Sequence, residues 1–225
     1  MLALARAYLF LLGLTSGLTL LTLTAYRRIS PRWLRVLLIS TGLFVISRYA
    51  TLALLTSAEA AQHVWGLRYC WLATSVGLTL PSVFAIDQLL RHPAMSPQKL
   101  LLWFSPFLVA YAATILCATI TPAPDRIVGV TLHLSPGWQL FLAVVQTIFV
   151  IGFLGLCTWL IRKVRSRPIR VAVLGLAVGH GWLAVDGLIV ALGGWYFRPF
   201  LFSEMFTLLA IWYAYETSTS LQQAS

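Results

Sequence analysis

Residues 179–206 read GHGWLAVDGLIVALGGWYFRPFLFSEMF. Two apolar runs meet at Gly193-Gly194 and Arg198-Pro199, a glycine and proline pair that breaks a helix and reverses the chain. Extended on both sides to 171–192 and 199–217, each run comes to the roughly 20 residues that a helix needs to cross a bilayer. Within this hydrocarbon lie one histidine, one aspartate, one arginine and one glutamate. The whole chain of 225 residues has only 6 acidic side chains, so placing two here calls for something that fixes them.

The same pattern fills the rest of the chain. It is 60% hydrophobic, 13% aromatic and only 10% charged, with a mean hydropathy of +0.87, far from the composition of a soluble domain. The formal net charge of +10 does not point to nucleic acid, because the basic residues are spread between segments long enough to span a membrane. Lipid headgroups are the partners that this distribution fits. Cys70, Cys117 and Cys157 fall inside apolar segments, with neither a zinc spacing nor a disulfide framework; inert packing is their reading, with a Cys70–Cys117 pair as the alternative.

Apolar runs predict an all-α bundle of seven transmembrane helices forming a single domain over 1–225, at about 7–25, 33–55, 65–89, 99–120, 137–161, 171–192 and 199–217. The first reads as an uncleaved anchor, since its apolar run exceeds a signal core and basic residues follow it. Eleven of the 16 lysines and arginines fall in the first, third and fifth connections: Arg27, Arg28, Arg32, Arg35, Arg91, Lys99, Arg162, Lys163, Arg165, Arg167 and Arg170. Positive loops resist translocation, so the N-terminus is expected outside and the C-terminus in the cytoplasm, in a bacterial inner membrane. Trp33, Trp65, Trp103, Trp138, Trp159, Trp195 and Trp212 fall near the expected span ends, as an interfacial belt does.

In that arrangement Asp186 lies about 12 Å from the outer end of its helix and Glu204 roughly 8 Å below the outer surface, at 1.5 Å per residue. Arg48 and Arg68 reach overlapping depths. These four, Arg48, Arg68, Asp186 and Glu204, are the candidate ligand-binding residues. A charge in hydrocarbon faces the bundle interior, paired, or a wet cavity. Structural ion bridges between helices are one reading and an outward-facing polar cavity is the other; snorkelling to the headgroups is a third, chiefly for Arg68. His180 reads as a hydrogen-bonded packing residue, because His63, His92 and His133 lie in expected loops and supply no second haem ligand. Asp87 and Glu216 lie near the cytoplasmic ends of their helices, where arginine pairing or solvation is the simple expectation. Gly175 and Gly179 predict close helix contact, and Pro81 and Pro106 predict kinks.

Several chemistries are excluded by type. A retinal Schiff base needs an intramembrane lysine, and Lys99 and Lys163 are both in expected loops. Neither His-Glu-x-x-His nor Gly-x-Ser-x-Gly is present, so no catalytic, metal or cofactor residues are assigned and no enzyme activity is expected. Pro97-Gln98 occurs once, in a connection, without the repeated halves of small carriers.

RYCWLATSVGLTLPSVFAIDQLL with Pro81, WFSPFLVAYAATI with Pro106, and TPAPDRIVGVTLHLSPGWQLFLAVVQTIFVIGFLGL, a short ectoloop holding His133 and re-entering at Gly137, give the chain its layout. That layout resembles the seven-helix membrane input domain at the N-terminus of bacterial sensor histidine kinases and related diguanylate cyclases. The resemblance implies a non-enzymatic sensory or receptor-like module that signals to a cytoplasmic transmitter. In that family helix 7 leads into the transmitter; this sequence stops soon after it, so the expected partner is a separate kinase or other transmitter, met by residues 162–170 and the C-terminal tail, unless the sequence is part of a longer sensor. A homodimer is open to such a module. The alternative function is a small-solute transporter or a subunit of a transport or assembly complex.

Overall fold

Hydrocarbon offers a backbone no hydrogen bonds, so a chain this apolar satisfies its peptide groups within helices. The computed structural model describes residues 2–56, 64–90, 96–125, 129–191 and 201–223. It contains α1 (Leu2–Tyr26), α2 (Arg32–Leu54), α3 (Val64–Trp71), α4 (Ala73–Leu90), α5 (Pro97–Cys117), β1 (Ile120–Asp125), β2 (Gly129–Leu134), α6 (Pro136–Lys163), α7 (Arg167–Ala191) and α8 (Leu201–Gln223). Among the described residues, six helical spans are long and apolar enough to cross a membrane, with α3 and α4 forming one of them around a break at Leu72. The protein is a multi-pass, all-α membrane protein. The seventh long helix, α8, is less apolar because it is a central one: Ser203, Glu204, Thr207, Thr217 and Ser218 on it are all buried. Expectations resting on His63, Arg91, His92, Arg126, Trp195, Arg198 and the side chain of Trp65 lie outside the described residues.

Helix α8 packs against α1, α4 and α7, while α4 touches α2, α5, α7 and α8, so these two form the axis of the bundle. The span containing α4 is 65% buried, against 17% for α5 and 22% for α6, which makes α5 and α6 the lipid-facing flank. Leu102, Trp103, Val109, Leu116, Ile148 and Ile151 on that flank are each more than half exposed. Close approach at the axis depends on small residues. A Cβ at Gly77 of α4 would come within 2.0 Å of Val45 Cγ2 on α2, and one at Gly179 of α7 within 3.1 Å of the Thr207 Cα on α8. Gly175 meets Ala210, so the contact expected of Gly175 and Gly179 is made with α8.

The structure departs from the sequence expectation at the end of α5, in the connection that follows it and at the end of α8. Helix α5 stops at Cys117 rather than at 120, because the chain turns there into an antiparallel hairpin, with Ile120 opposite Leu134 and Asp125 opposite Gly129. This hairpin replaces the plain loop expected over the same residues. Pro122 and Pro124 lack amide donors, which a strand tolerates at an edge. Gly129 has φ +82°, and a Cβ there would lie 2.7 Å from the Thr56 carbonyl oxygen, so glycine is required where the hairpin meets the end of α2. The Val130 amide donates to the Leu55 carbonyl at 3.0 Å, fixing that contact. Helix α8 runs to Gln223, beyond the expected 217, and the hydroxyls of Ser218, Thr219 and Ser220 are satisfied within it by the carbonyls of Tyr215 and Thr217.

The connections place Arg27, Arg28, Arg32, Arg35, Lys99, Arg162, Lys163, Arg165, Arg167 and Arg170 at one end of the bundle and the hairpin at the other. Below we call these the arginine-rich end and the hairpin end. Pro81 and Pro106 both lie inside helices, and the Tyr215 hydroxyl on α8 donates to the Pro81 carbonyl at 2.9 Å.

Candidate functional site

Arg48, six residues before the end of α2, and Glu204, in the first turn of α8, approach from opposite sides of the bundle interior. The guanidinium Nη1 lies 3.0 Å from each carboxylate oxygen, and the two side chains are 6% and 2% exposed. The Tyr49 hydroxyl donates to Glu204 Oε2 at 2.9 Å. Two neighbouring residues of α2 thus hold one carboxylate of α8. Charge-assisted bonds of this kind are the strong ones, and burial excludes the water that would otherwise compete with them.

The hairpin end is closed above this point by apolar side chains. Tyr8, Leu12, Val45, Tyr49, Leu52, Leu55, Leu132 and Leu201 form one buried cluster. Leu132 comes from β2 and Leu201 precedes Glu204 by less than one turn. Leu132, 3% exposed, thus ties the hairpin into this cluster.

The other two candidates go elsewhere. Asp186 on α7 accepts a hydrogen bond from the Ser203 hydroxyl on α8, next to Glu204 in the chain. Arg68, expected at the same depth as part of a four-charge cluster or snorkelling outward, does neither. It is 6% exposed and donates from Nε to the Ile115 carbonyl at 3.0 Å and from Nη2 to the Ala118 carbonyl at 3.0 Å. These are carbonyls of the last turn of α5 that no further helical amide reaches, so Arg68 caps α5 against its dipole where the chain leaves for the hairpin. The structure brings Arg48 to Glu204 and Asp186 to Ser203, and turns Arg68 to a helix end.

His180 shares a hydrogen bond of 2.9 Å with the Ser82 hydroxyl and is packed edge-on by Phe149 and Phe153, which is the packing role its sequence position indicated. At the arginine-rich end Glu216 is paired with Arg28 at 3.0 Å, with side chains 31% and 57% exposed. Among the described residues no three histidine, cysteine, aspartate or glutamate side chains gather as a metal site. No buried side-chain nitrogen or oxygen among them lacks a hydrogen-bond partner.

Tyr49 and Ser203 are not singled out by the sequence. Tyr49 and Ser203 each adjoin a charged candidate in the chain, in the pairs Arg48-Tyr49 and Ser203-Glu204; that adjacency is the signal that was available. No protein-family model matches this chain, and no curated protein matches it.

Proposed function

We propose that the protein is a non-enzymatic sensory or receptor-like module, with the hairpin end outside, the arginine-rich end in the cytoplasm, and α8 as the element that carries the signal. One observation supports this reading above the others: α8 holds a buried ion pair near one end and an exposed ion pair near the other. Glu204 ties it to α2 and Glu216 ties it to the connection after α1. An event that releases Glu204 changes the restraint on a helix whose far end faces the cytoplasm, which is how binding energy moves a packed element between two arrangements.

Basic residues gathered at one end favour this orientation by the positive-inside rule. The cytoplasmic surface then includes residues 162–170 and the end of α8 beside the basic connections around 27–35 and Lys99, which fits an acidic face on a transmitter. The resemblance of the layout to kinase input domains agrees with that role. Reconstitution into proteoliposomes tests the reading against a transporter: the protein is expected to leave pyranine-reported proton flux and radiolabelled acetate uptake at the level of protein-free vesicles. Sustained protein-dependent flux that is lost in Glu204→Gln would overturn it in favour of transport.

A further inference from the structure

At the arginine-rich end the first turns of α2 and α5 leave a cavity of about 420 Å³, lined by Trp33 on α2 and by Gln98, Leu101, Leu102 and Ser105 on α5. The four α5 residues are spaced as one stripe along a helix. From Gln98 to Ser105 that stripe covers about 10 Å at 1.5 Å per residue, so the cavity runs from the helix end down into the apolar span. Its inner wall is firm, because Trp33 and Leu101 pack against the main core cluster. Its outer lip, Leu102, is 72% exposed and belongs to the lipid-facing flank. The cavity therefore opens sideways onto the bilayer.

We infer that this cavity holds one anionic phospholipid, with its phosphate between Arg32 and Lys99 and the upper part of an acyl chain along Leu101 and Leu102. Arg32 precedes Trp33 and Lys99 follows Gln98 in the chain, and both basic residues are exposed. Basic pockets between helices at a membrane surface take anionic head groups. Gln98 lines the same end and offers an amide donor to a phosphate oxygen. The deeper lining is apolar apart from Ser105, whose hydroxyl donates to the Leu102 carbonyl at 2.7 Å, which suits hydrocarbon there. Any phospholipid chain would fill that part; the two cations are what select a negative head group. Helices α2 and α5 each pack on α4, and a lipid in this place bridges their starts. The inference needs neither the sensory reading nor a particular orientation, only that this end lies at a lipid surface.

The test uses the full chain in phosphatidylcholine nanodiscs holding a minority of lipid brominated on the chain near the headgroup. Bromine quenches a tryptophan only at contact, so the quenching lost in Trp33→Phe is that of Trp33. Brominated phosphatidylglycerol is expected to quench Trp33 at a lower mole fraction than brominated phosphatidylcholine. Lys99→Gln should weaken that preference about fivefold, the scale of one basic side chain at an anionic surface. Arg170→Gln, on α7 at the same end, should leave it unchanged. Equal quenching by the two lipids overturns the proposal. An equal loss in Lys99→Gln and Arg170→Gln also overturns it, since the attraction is then to the basic end as a whole. Inorganic phosphate at constant ionic strength should not displace the lipid; displacement would assign the site to a soluble phosphate and overturn the proposal too. Should Trp33→Phe not fold, phosphatidylglycerol retained through extraction in mild detergent is counted by native mass spectrometry. One retained molecule is expected on the wild-type chain, lost in Arg32→Gln with Lys99→Gln, and none retained, or retention unchanged in that variant, overturns the proposal.

Discussion

Two glutamates on α8, about 18 Å apart along the axis at 1.5 Å per residue, are each held by an arginine at 3.0 Å. The distances match, but the surroundings do not. Arg48 and Glu204 are sealed by apolar side chains and joined by Tyr49, whereas Arg28 and Glu216 stand at a rim with half or more of the arginine exposed. Distance alone says little about what an ion pair does. At the rim, water and salt screen the attraction and either partner can leave at small cost. In the core, neither can leave without stranding a charge, so the pair registers α8 against α2 even if its net contribution to stability is small.

The largest effect that would break this contrast comes from removing one member of the buried pair. Glu204→Ala or Arg48→Ala should lower stability by about 3–5 kcal/mol, read as a fall in Tm in nanodiscs, because the remaining charge is stranded. Replacing both together with apolar residues of similar volume should recover most of that loss. If the single and double changes cost the same, the pair is not buried in the membrane-embedded protein.

Arg68 sharpens the comparison, since it is as buried as Arg48 but is held by carbonyls. Arg68→Gln should cost about 1.5–3 kcal/mol, the range for hydrogen bonds to a charged group. The loss should appear as faster amide exchange at the end of α5 and in the hairpin. Gly77→Ala attacks the buried pair indirectly, by pushing α4 against Val45 on α2, the helix that carries Arg48 and Tyr49. Overpacking of this kind costs about 1–3 kcal/mol, and protection of the Tyr49 region should fall with it. The smallest effect belongs to the rim: Glu216→Gln should change stability by about 0–1 kcal/mol, and the change should fade as salt rises.

The spans were legible because membrane helices announce themselves by length and apolarity, and the basic residues sorted the connections into two ends. The hairpin was not legible as strands. Its second strand does alternate, with Val130, Leu132 and Leu134 against Thr131 and His133, but six residues between two strong helical runs carry too little pattern to outweigh them. Its reason for folding is the contact with the end of α2, which no local pattern encodes. The site was half legible. Depth along the helices put Arg48 and Glu204 at the same level, and they do meet. The same argument put Arg68 beside them and failed, because depth fixes height along a helix and not the face from which a side chain leaves it. The interior faces of α2 and α8 are set by Gly77, Gly179 and their neighbours, a property of the packed bundle rather than of any single span.

The central claim is that α8 links the buried pair to the far end of the molecule. It is tested most directly by spin labels at the arginine-rich end, Arg27→Cys with Leu221→Cys on a background with the native cysteines replaced, compared in nanodiscs with and without Glu204→Gln. The account predicts that neutralising Glu204 shifts the distance distribution between these labels. An unchanged distribution, with a second pair of labels at Leu54→Cys and Phe202→Cys showing that the hairpin end has loosened, would contradict it.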